Sequence, residues 1–342
     1  MTGLHHPFDT PPAEGTACEV APGVLWMRLP LPMALDHVNV YALDDGCGWT
    51  IIDTGLMSRR GIAIWEALLA GPLAARPVTR LIVTHHHPDH IGLAGWFQAR
   101  GVELVTTRTA WLYARMLVLD VQPWPSPESL TFYRRAGTPP DVMAKRETER
   151  PFNFADVVHA LPQGFTRIDE GDTLTAAGRR WRVRLGHGHA PDHATFWSLD
   201  DHLVIGGDQL LPGISANIGV YPTEPEADPL HDWLTSTEAF RDHARDDQLI
   251  LPGHKLPFIG LPFRLVQMAE NHHGALARLL AHLATPHTAA DCFIPLFKRP
   301  IVGPEFGLAL VEAVAHLNYL LRRGRVTRSL TPDGAWLWQA AR

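Results

Sequence analysis

Cysteine is scarce in this chain of 342 residues, and its three cysteines, Cys18, Cys47 and Cys292, lie far apart in the sequence. None of them forms a C-x-x-C pair, so the sequence favours neither a disulfide framework nor a thiolate metal site. Disulfide-poor chains are typical of reducing compartments. We therefore expect a cytoplasmic protein.

Long apolar runs and an excess of positive charge are also missing. No segment approaches the roughly 20 apolar residues that span a bilayer, and the polar start MTGLHHPFDTPPAEG lacks the features of a usual secretory signal. With 30 basic and 36 acidic residues, the net charge is −6, which gives no global field to attract nucleic acid or anionic lipid. The expected partner is a small molecule rather than nucleic acid or a membrane, and a homodimer is left open.

Length and composition indicate a globular protein with two domains. Hydrophobic residues make up 46% of the chain and charged residues 19%, which is typical of folded soluble proteins rather than disordered or fibrous ones. A chain of 342 residues is about twice the commonest domain length. One large catalytic domain with a smaller appendage is the expected arrangement.

The order of apolar patterns predicts an α/β fold. Strand-like runs rich in β-branched and aromatic residues alternate with helical patterns over residues 1–260, the predicted catalytic domain. Residues 108–164 change to a helical, aromatic and proline-broken pattern, which we interpret as an insertion. Residues 261–342 contain helical patterns followed by a possible β-ribbon with a turn at Pro332–Gly334, and this order predicts a winged-helix-like domain.

Histidine is abundant, with 20 residues in the chain, and its densest cluster is HHHPDH, directly after the strand-like run RLIVT. Because alternate side chains of a strand share a face, we expect His85 and His87 on one side and His86 on the other. A turn at the following proline would bring Asp89 and His90 towards a second ion. A polar loop of exposed histidines is the alternative interpretation.

Three later segments share one pattern, a strand-like run followed by glycine and a possible ligand. They are GHGH after WRVRL, GGD after HLVI, and PGH after LIL. Glycine permits tight turns that present the adjacent side chain at the edge of a sheet, so these side chains are expected to converge. Imidazole and carboxylate ligands suit zinc, and they also serve iron or manganese. In the first segment, His187 and His189 compete as the ligand.

The order H-x-H-x-D-H, G-H-x-x-x-H, a lone Asp and P-G-H resembles the metallo-β-lactamase superfamily, as does the D-T-G at 53–55. The resemblance covers about residues 20–260 and implies a four-layer αββα sandwich that holds two metal ions, expected to be Zn²⁺. Aligning GHAPDH at 188–193 with the family pattern selects His189. The implied ligands are His85, His87 and His189 for one ion, Asp89, His90 and His254 for the other, and Asp208 as a bridge between them.

The implied bridging residue, Asp208, bears on the type of hydrolase. True zinc β-lactamases typically lack a bridging Asp, so the ligand set is similar to that of glyoxalase-II-like hydrolases. The resemblance implies a hydroxide that bridges both ions and attacks an acyl substrate, most readily a thioester or ester of the acyl-CoA or glutathione type. A lactonase would use the same metal site.

The C-terminal part supplies the other functional hypotheses. Residues 262–342 resemble the winged-helix tail of a lactamase-like subgroup that includes single-strand RNA endonucleases. An arginine cluster at 322–328 could contact phosphates, so RNA cleavage is an alternative function. A non-catalytic binding or regulatory module is the third hypothesis, and the complete ligand set argues against it.

Residues beside the ligands also have predicted roles. Asp89 is expected to orient the attacking water or accept its proton. His193 is a candidate catalytic residue that contacts the developing oxyanion, although packing or a bond to Asp192 explains it equally well. Asp53 and Thr84 are candidates for orienting the ligating imidazoles, and for Thr84 a purely structural role is equally open.

The insertion carries side chains that bear on the substrate. Arg134 and Arg135 could grip a carboxylate or phosphate of the substrate, or stand unpaired at the surface. An apolar set could roof a cleft for an acyl chain, or pack on itself as a lid. This set consists of Trp111, Tyr113, Met116, Trp124, Phe132 and Tyr133.

Overall fold

The structure, a computed structural model, describes residues 3–341. The chain forms two compact units, each built from three segments. The first unit comprises Met1–Val121, Asn153–Ala216 and His243–Arg264. The second unit comprises Gln122–Phe152, Asn217–Asp242 and Leu265–Arg342.

Two β-sheets form the first unit. The first sheet has seven strands that pair in chain order, and the second has five. The first contains β1 (Cys18–Ala21), β2 (Val24–Pro30), β3 (His37–Asp44), β4 (Trp49–Ile52), β5 (Val78–Ile82), β6 (Glu103–Thr106) and β7 (Thr166–Arg167). The second contains β8 (Thr173–Ala176), β9 (Arg179–Gly186), β10 (His193–Ser198), β11 (Leu203–Gly207) and β12 (Leu249–Pro252), in the order β12-β11-β10-β9-β8.

Helices connect and cover the strands of the first unit. They are α1 (Arg59–Ala70), α2 (Pro88–Ile91), α3 (Ala94–Gln98) and α4 (Arg108–Leu119), with a 3₁₀ turn at Phe154–Asp156. Helix α1 begins at Ser58, whose hydroxyl accepts the backbone N–H of Gly61 at 2.9 Å, a capping bond that satisfies a free donor of the first turn. Its buried face contains Trp65 and Leu68, which join the cluster on one side of the first sheet.

The central strand β3 shows why the two sheets stack. Its residues His37–Leu43 are all buried, as expected for a strand that is covered on both faces. Val38 and Val40 belong to the apolar cluster shared with the helices, whereas Tyr41 and Leu43 belong to the cluster shared with the second sheet. Alternate side chains of β3 therefore pack against the helices on one face and against the second sheet on the other. The predicted α/β fold with two sheets is confirmed.

Strand direction brings several loops to one edge of the sandwich. Strands β4, β5 and β6 run parallel, and so do β11 and β12. The carboxyl ends of parallel strands meet at the same edge of a sheet, which is the usual place for a ligand site in α/β folds. The loops that carry the histidine and aspartate motifs follow these strand ends.

The second unit is mainly helical. It contains α5 (Pro127–Arg135), α6 (Pro140–Thr148), α7 (Pro229–Arg241), most of α8 (Leu261–His282), α9 (Phe293–Phe297), α10 (Phe306–Arg322), and 3₁₀ turns at Ala290–Cys292 and Gly303–Glu305. The predicted β-ribbon forms as β13 (Val326–Leu330) and β14 (Trp336–Ala340). Gly334, in the predicted turn, has φ +87°, a left-handed conformation that favours glycine.

Domain boundaries differ between the prediction and the two compact units. The sequence assigned the whole insertion 108–164 to the catalytic domain, whereas Gln122–Phe152 belongs to the second unit. The second unit has the helices and the β-ribbon that the winged-helix prediction requires, and the assignment to that class stays a prediction. Within residues 3–341, no helix is both long and apolar enough to cross a membrane.

Candidate metal centre

All seven predicted ligands lie at the strand-end edge of the first unit. Two lie in the loop after β5, two lie in the short helix α2, and the other three follow β9, β11 and β12. The structure brings them into groups whose potential ligand atoms lie within 4.8 Å of one another. These residues are His85, His87, Asp89, His90, His189, Asp208 and His254.

Three histidines form the first group. His87 Nδ1 lies 3.1 Å from His85 Nε2 and 3.0 Å from His189 Nε2. Nitrogen ligands at about 2.0–2.1 Å from a tetrahedral ion stand about 3.3 Å apart. The three nitrogen atoms are thus spaced as ligands of one divalent ion, and the donor set is one that zinc accepts.

A second group combines Asp89, His90 and His254. Asp89 Oδ2 lies 3.3 Å from His254 Nε2 and 3.6 Å from His90 Nε2. These separations again match ligand-to-ligand distances around a single ion. A mixed imidazole and carboxylate set suits zinc, iron or manganese, so the geometry does not select the metal.

Asp208 lies between the two groups. Its Oδ2 is 3.4 Å from His189 Nε2, a member of the first group, and 3.2 Å from His254 Nε2, a member of the second. Its Oδ1 is 3.4 Å from His90 Nε2. One carboxylate therefore reaches histidines of both groups, which is the geometry of a bridging ligand.

Two buried atoms at this centre test whether metal ions fit. Within residues 3–341, neither His90 Nε2 nor Asp208 Oδ1 has a hydrogen-bond partner, although both are enclosed by protein. Buried polar atoms are nearly always satisfied, and a bound ion is one explanation for those that are not. The residues present fit divalent metal ions.

The electrostatics of the centre favour bound cations. Burial strongly lowers the pKa of His85, and neighbouring histidines lower it further, so this imidazole is neutral and able to ligate. Burial alone would raise the pKa of Asp208, but His254 and His90 outweigh it and hold that pKa well below its usual range. The carboxylate is anionic at neutral pH, and it raises the pKa values of His90 and His254 in turn, so a metal ion bound there would replace the protons of these imidazoles.

Asp53 and Thr84 contact two of the imidazoles and orient them, which is the role for which the sequence made them candidates. Asp53 Oδ2 lies 2.8 Å from His90 Nδ1 and accepts the Thr84 hydroxyl at 2.8 Å. Thr84 Oγ1 lies 3.0 Å from His85 Nδ1. Since each Nδ1–H is directed to an oxygen, Nε2 of His85 and of His90 is left facing the centre.

The loop that carries His254 is held by β3, a contact that sequence reasoning missed. The amide of Asn39 donates to Pro252 O at 2.9 Å and to Lys255 O at 2.7 Å, and the hydroxyl of Tyr41 donates to Pro252 O at 2.8 Å. His254 Nδ1 lies 2.9 Å from the carbonyl of His37, also in β3. The signal in the sequence was a polar Asn inside an otherwise apolar run, HVNVYAL.

His193 lies behind the ligands rather than beside an open position. Its side chain is fully buried and stacks on His85 with ring centroids 4.5 Å apart. His193 Nε2 accepts the backbone N–H of Asp208 at 3.1 Å, and burial lowers the pKa of His193 to about 3. The ring is thus neutral, its proton is on Nδ1, and this geometry favours positioning of Asp208 over the predicted contact with an oxyanion.

His187, the alternative ligand, lies outside the metal groups found among the described residues. Its side chain is 43% exposed, and Nδ1 accepts the backbone N–H of Asp192 at 3.3 Å. Asp192 is further held by the side chain of Thr109 at the start of α4. The structure thus agrees with the alignment that selected His189.

The aromatic side chains predicted to roof a cleft divide between the two units. In the first unit, Trp111 stacks on Phe165 with centroids 4.9 Å apart, while Tyr113 lies 5.2 Å from the ring of His86. His86 is not a member of the metal groups found among the described residues, and its ring also stacks on Phe154. Trp124, Phe132 and Tyr133 belong to the second unit.

Known proteins share this fold and its motifs. A family model described as the metallo-beta-lactamase superfamily matches residues 33–254, and one described as the metallo-beta-lactamase-like C-terminal domain matches residues 276–341. The crystal structure of a beta-lactamase domain protein from Burkholderia ambifaria is 36% identical in sequence, with a TM-score of 0.91. The similarity covers 99% of this chain and 98% of that one.

Two curated relatives are enzymes by name. A probable metallo-hydrolase of Bacillus subtilis is 25% identical over 313 residues, which is 89% of this chain and 94% of that protein. A hydroxyacylglutathione hydrolase of Rhodopseudomonas palustris is 24% identical over 247 residues, or 70% of this chain and 74% of the relative. Because the superfamily match spans most of the chain and contains every candidate ligand, this protein is a hydrolase that belongs to the metallo-β-lactamase superfamily.

Proposed function

We propose that this hydrolase holds two divalent metal ions, zinc in the first instance, and cleaves a thioester or ester of the acyl-CoA or glutathione type. The observation that carries the proposal is the position of Asp208, whose two oxygens lie within 3.4 Å of histidines from both groups. The similarity to a hydroxyacylglutathione hydrolase supports an acyl substrate.

The residues around the centre have different roles in the proposed reaction. When bound, two divalent ions lower the pKa of water and polarise the oxygen of the bond to be cleaved. Asp208 would contact both ions, and Asp53 and Thr84 hold the imidazoles of His90 and His85 in the ligating tautomer. Asp89 is the most accessible carboxylate of the centre, with 22% of its side chain exposed, so it can accept a hydrogen bond from the attacking water and take its proton.

An uncharged wall next to the centre supports an acyl substrate. The ring of His86 contacts the rings of His87, Tyr113 and Phe154, and burial lowers the pKa of His86 to about 3. The His86 ring is therefore neutral at physiological pH. Ligand sites are mostly apolar with a few polar groups, and this wall is suited to the hydrocarbon part of an acyl group.

The alternative of RNA cleavage has less support in the second unit. Arg323 pairs with Asp228 at 2.8 Å, Arg328 pairs with Glu226 at 2.9 Å, and Arg322 donates to the carbonyl of Glu226. These arginines of the predicted phosphate-binding cluster are engaged within the unit. A basic patch must offer free cations to phosphates, so we rank the RNA endonuclease below the acyl hydrolase.

A substrate panel tests the proposal. Purified protein loaded with Zn²⁺ is assayed on acyl-CoA and acyl-glutathione thioesters, lactones, β-lactams and single-stranded RNA. We expect thioester turnover that is lost in His85→Ala and after chelation, and that returns when metal is added to the wild type. His202→Ala is the matched control, because His202 is an exposed histidine that pairs with Asp247.

The outcomes of the panel separate the hypotheses. Thioester turnover that survives His85→Ala would remove the assignment of the site. Lactone turnover without thioester turnover would move the proposal to a lactonase on the same metal centre. RNA cleavage that depends on His85 would replace it with the endonuclease, and no turnover on any substrate would favour a binding module.

A further inference from the structure

A cavity lies within the second unit, built only from residues of that unit. Its volume is about 330 Å³, at the lower end of the range of about 300–1,000 Å³ found for small-molecule sites. Helix α5, the segment around Pro225, α10 and the β13–β14 ribbon supply its walls. The metal centre lies in the first unit, so this cavity is a separate feature of the fold.

Aromatic side chains form much of the wall. Trp338 is 1% exposed and Phe132 is 7% exposed, while Trp336 is half-buried. Indole and phenyl rings bind planar rings well, because offset-stacked and edge-to-face arrangements are favourable. The wall is therefore suited to an aromatic ligand.

One guanidinium group at the cavity carries an uncompensated charge. Arg328 lies over the Trp336 ring at 4.5 Å and pairs with Glu226 at 2.9 Å. Arg135 lies over the same ring at 5.5 Å and, within residues 3–341, has no carboxylate in ion-pairing distance. An arginine held against an aromatic face keeps its N–H groups available for a carboxylate.

Two buried polar atoms belong to residues that line the cavity. Asn318 and Trp338 are 2% and 1% exposed, and both line the cavity. The Asn318 amide donates to the carbonyls of Pro225 and Ala227 at 3.0 and 2.9 Å, which leaves Oδ1 free. Among the described residues, Asn318 Oδ1 and Trp338 Nε1 have no hydrogen-bond partner, a state that is costly for buried polar groups.

A second glutamate at the cavity, Glu128, limits the negative charge that a ligand can carry there. Glu128 also lines the cavity, and it precedes Arg135 by seven residues in α5, a separation of about 10 Å along a helix. The end near Arg135 and Arg328 carries one positive charge in excess after Glu226 is counted. A single carboxylate balances that excess charge, whereas a polyphosphate would exceed it.

We propose that this cavity binds a small aromatic carboxylate, with the carboxylate on Arg135 and the ring against Trp336, Trp338 and Phe132. The proposal is independent of the substrate proposed for the metal centre. It predicts that recognition requires both the negative charge and the planar ring.

Calorimetric titration of the full-length, metal-loaded protein tests this site. The probe is 3-phenylpropanoate, compared with its neutral amide and with hexanoate, which has the charge without the ring. We expect one site per chain for the aryl carboxylate and binding at least about tenfold weaker for the amide, since a charged hydrogen bond contributes a factor of this size. Hexanoate should bind several-fold more weakly, because it forfeits the contact of the ring with the aromatic wall.

Two neighbouring arginines give a matched pair of variants. Arg135→Gln is expected to weaken binding of 3-phenylpropanoate about tenfold or more, whereas Arg134→Gln should leave it within about twofold, because Arg134 pairs with Glu147 at 3.0 Å and does not line the cavity. Both side chains are exposed, so unchanged thermal unfolding is expected and is measured for both variants.

Several results would overturn the proposal. Equal binding of the amide, or unchanged binding by Arg135→Gln, would remove the carboxylate-binding role of Arg135. Binding that disappears in Asp208→Asn but persists in Arg135→Gln would place the carboxylate at the metal centre instead. No measurable binding of the aryl carboxylate at millimolar concentration would also contradict it.

Discussion

Replacing Asp208 with asparagine is expected to reduce turnover by about 10³-fold and to lower the metal content of the protein. The substitution keeps the shape of the side chain but removes the negative charge that lies within 3.4 Å of His90, His189 and His254. Charge stabilisation by metal ions contributes several kcal/mol to such reactions, and each factor of ten in rate corresponds to about 1.36 kcal/mol. Steady-state kinetics and metal analysis of the purified variant measure both effects.

Asp200→Asn is the matched control for that variant. Like Asp208, Asp200 comes after a strand of the second sheet. It lies at the surface, where its carboxylate pairs with Arg180 at 2.7 Å. Exposed ion pairs contribute little to stability, so this variant should keep wild-type turnover and metal content. If Asp208→Asn bound two equivalents of metal and kept turnover within about tenfold of the wild type, Asp208 would not be a bridging ligand.

Adding a single methyl group at Gly253 is expected to disable the second ligand group. A Cβ at this position would lie 2.2 Å from Asp208 Oδ1 and 3.0 Å from His90 Cε1, closer than non-bonded atoms approach. Gly253→Ala must therefore shift the carboxylate or the loop that carries His254. Since a misplacement of about 1 Å in an active site can cost about 10²-fold in rate, we expect a loss of at least that size.

Gly213→Ala separates this steric effect from a general cost of replacing glycine. A Cβ at Gly213 would meet no atom within 4 Å, and the residue lies in the loop that follows Asp208. We expect near-normal turnover and metal content in this variant. Equal loss in both variants, or no loss in Gly253→Ala, would contradict the close packing of the loop against the centre.

The ligand set could be predicted because its pattern is local. In HHHPDH, the residue types and their spacing are visible over six positions, and the later ligands each follow a strand-like run and a glycine. The structure places all seven at one edge, although their role as ligands stays a prediction until metal is measured. Strand direction, which the alternation of strands and helices indicates, explains why motifs far apart in the chain meet.

Other features depend on contacts between distant segments and could not be predicted. The bonds of Asn39 and Tyr41 to the loop that carries His254 join positions more than 200 residues apart, and no local pattern specifies them. The ring of His193 accepts the N–H of Asp208, which sequence spacing could not distinguish from a contact with substrate. The helical pattern of Gln122–Phe152 likewise gave no sign that this segment belongs to the second unit.

Anomalous diffraction from crystals of the metal-loaded protein tests the central claim most directly, because it locates each ion. The account predicts two peaks about 3.5–4 Å apart, the spacing of two-metal sites, with a carboxylate oxygen of Asp208 in contact with both. One peak should lie among His85, His87 and His189, and the other should lie among Asp89, His90 and His254. A single peak in protein saturated with metal, or two peaks of which only one contacts Asp208, would contradict it.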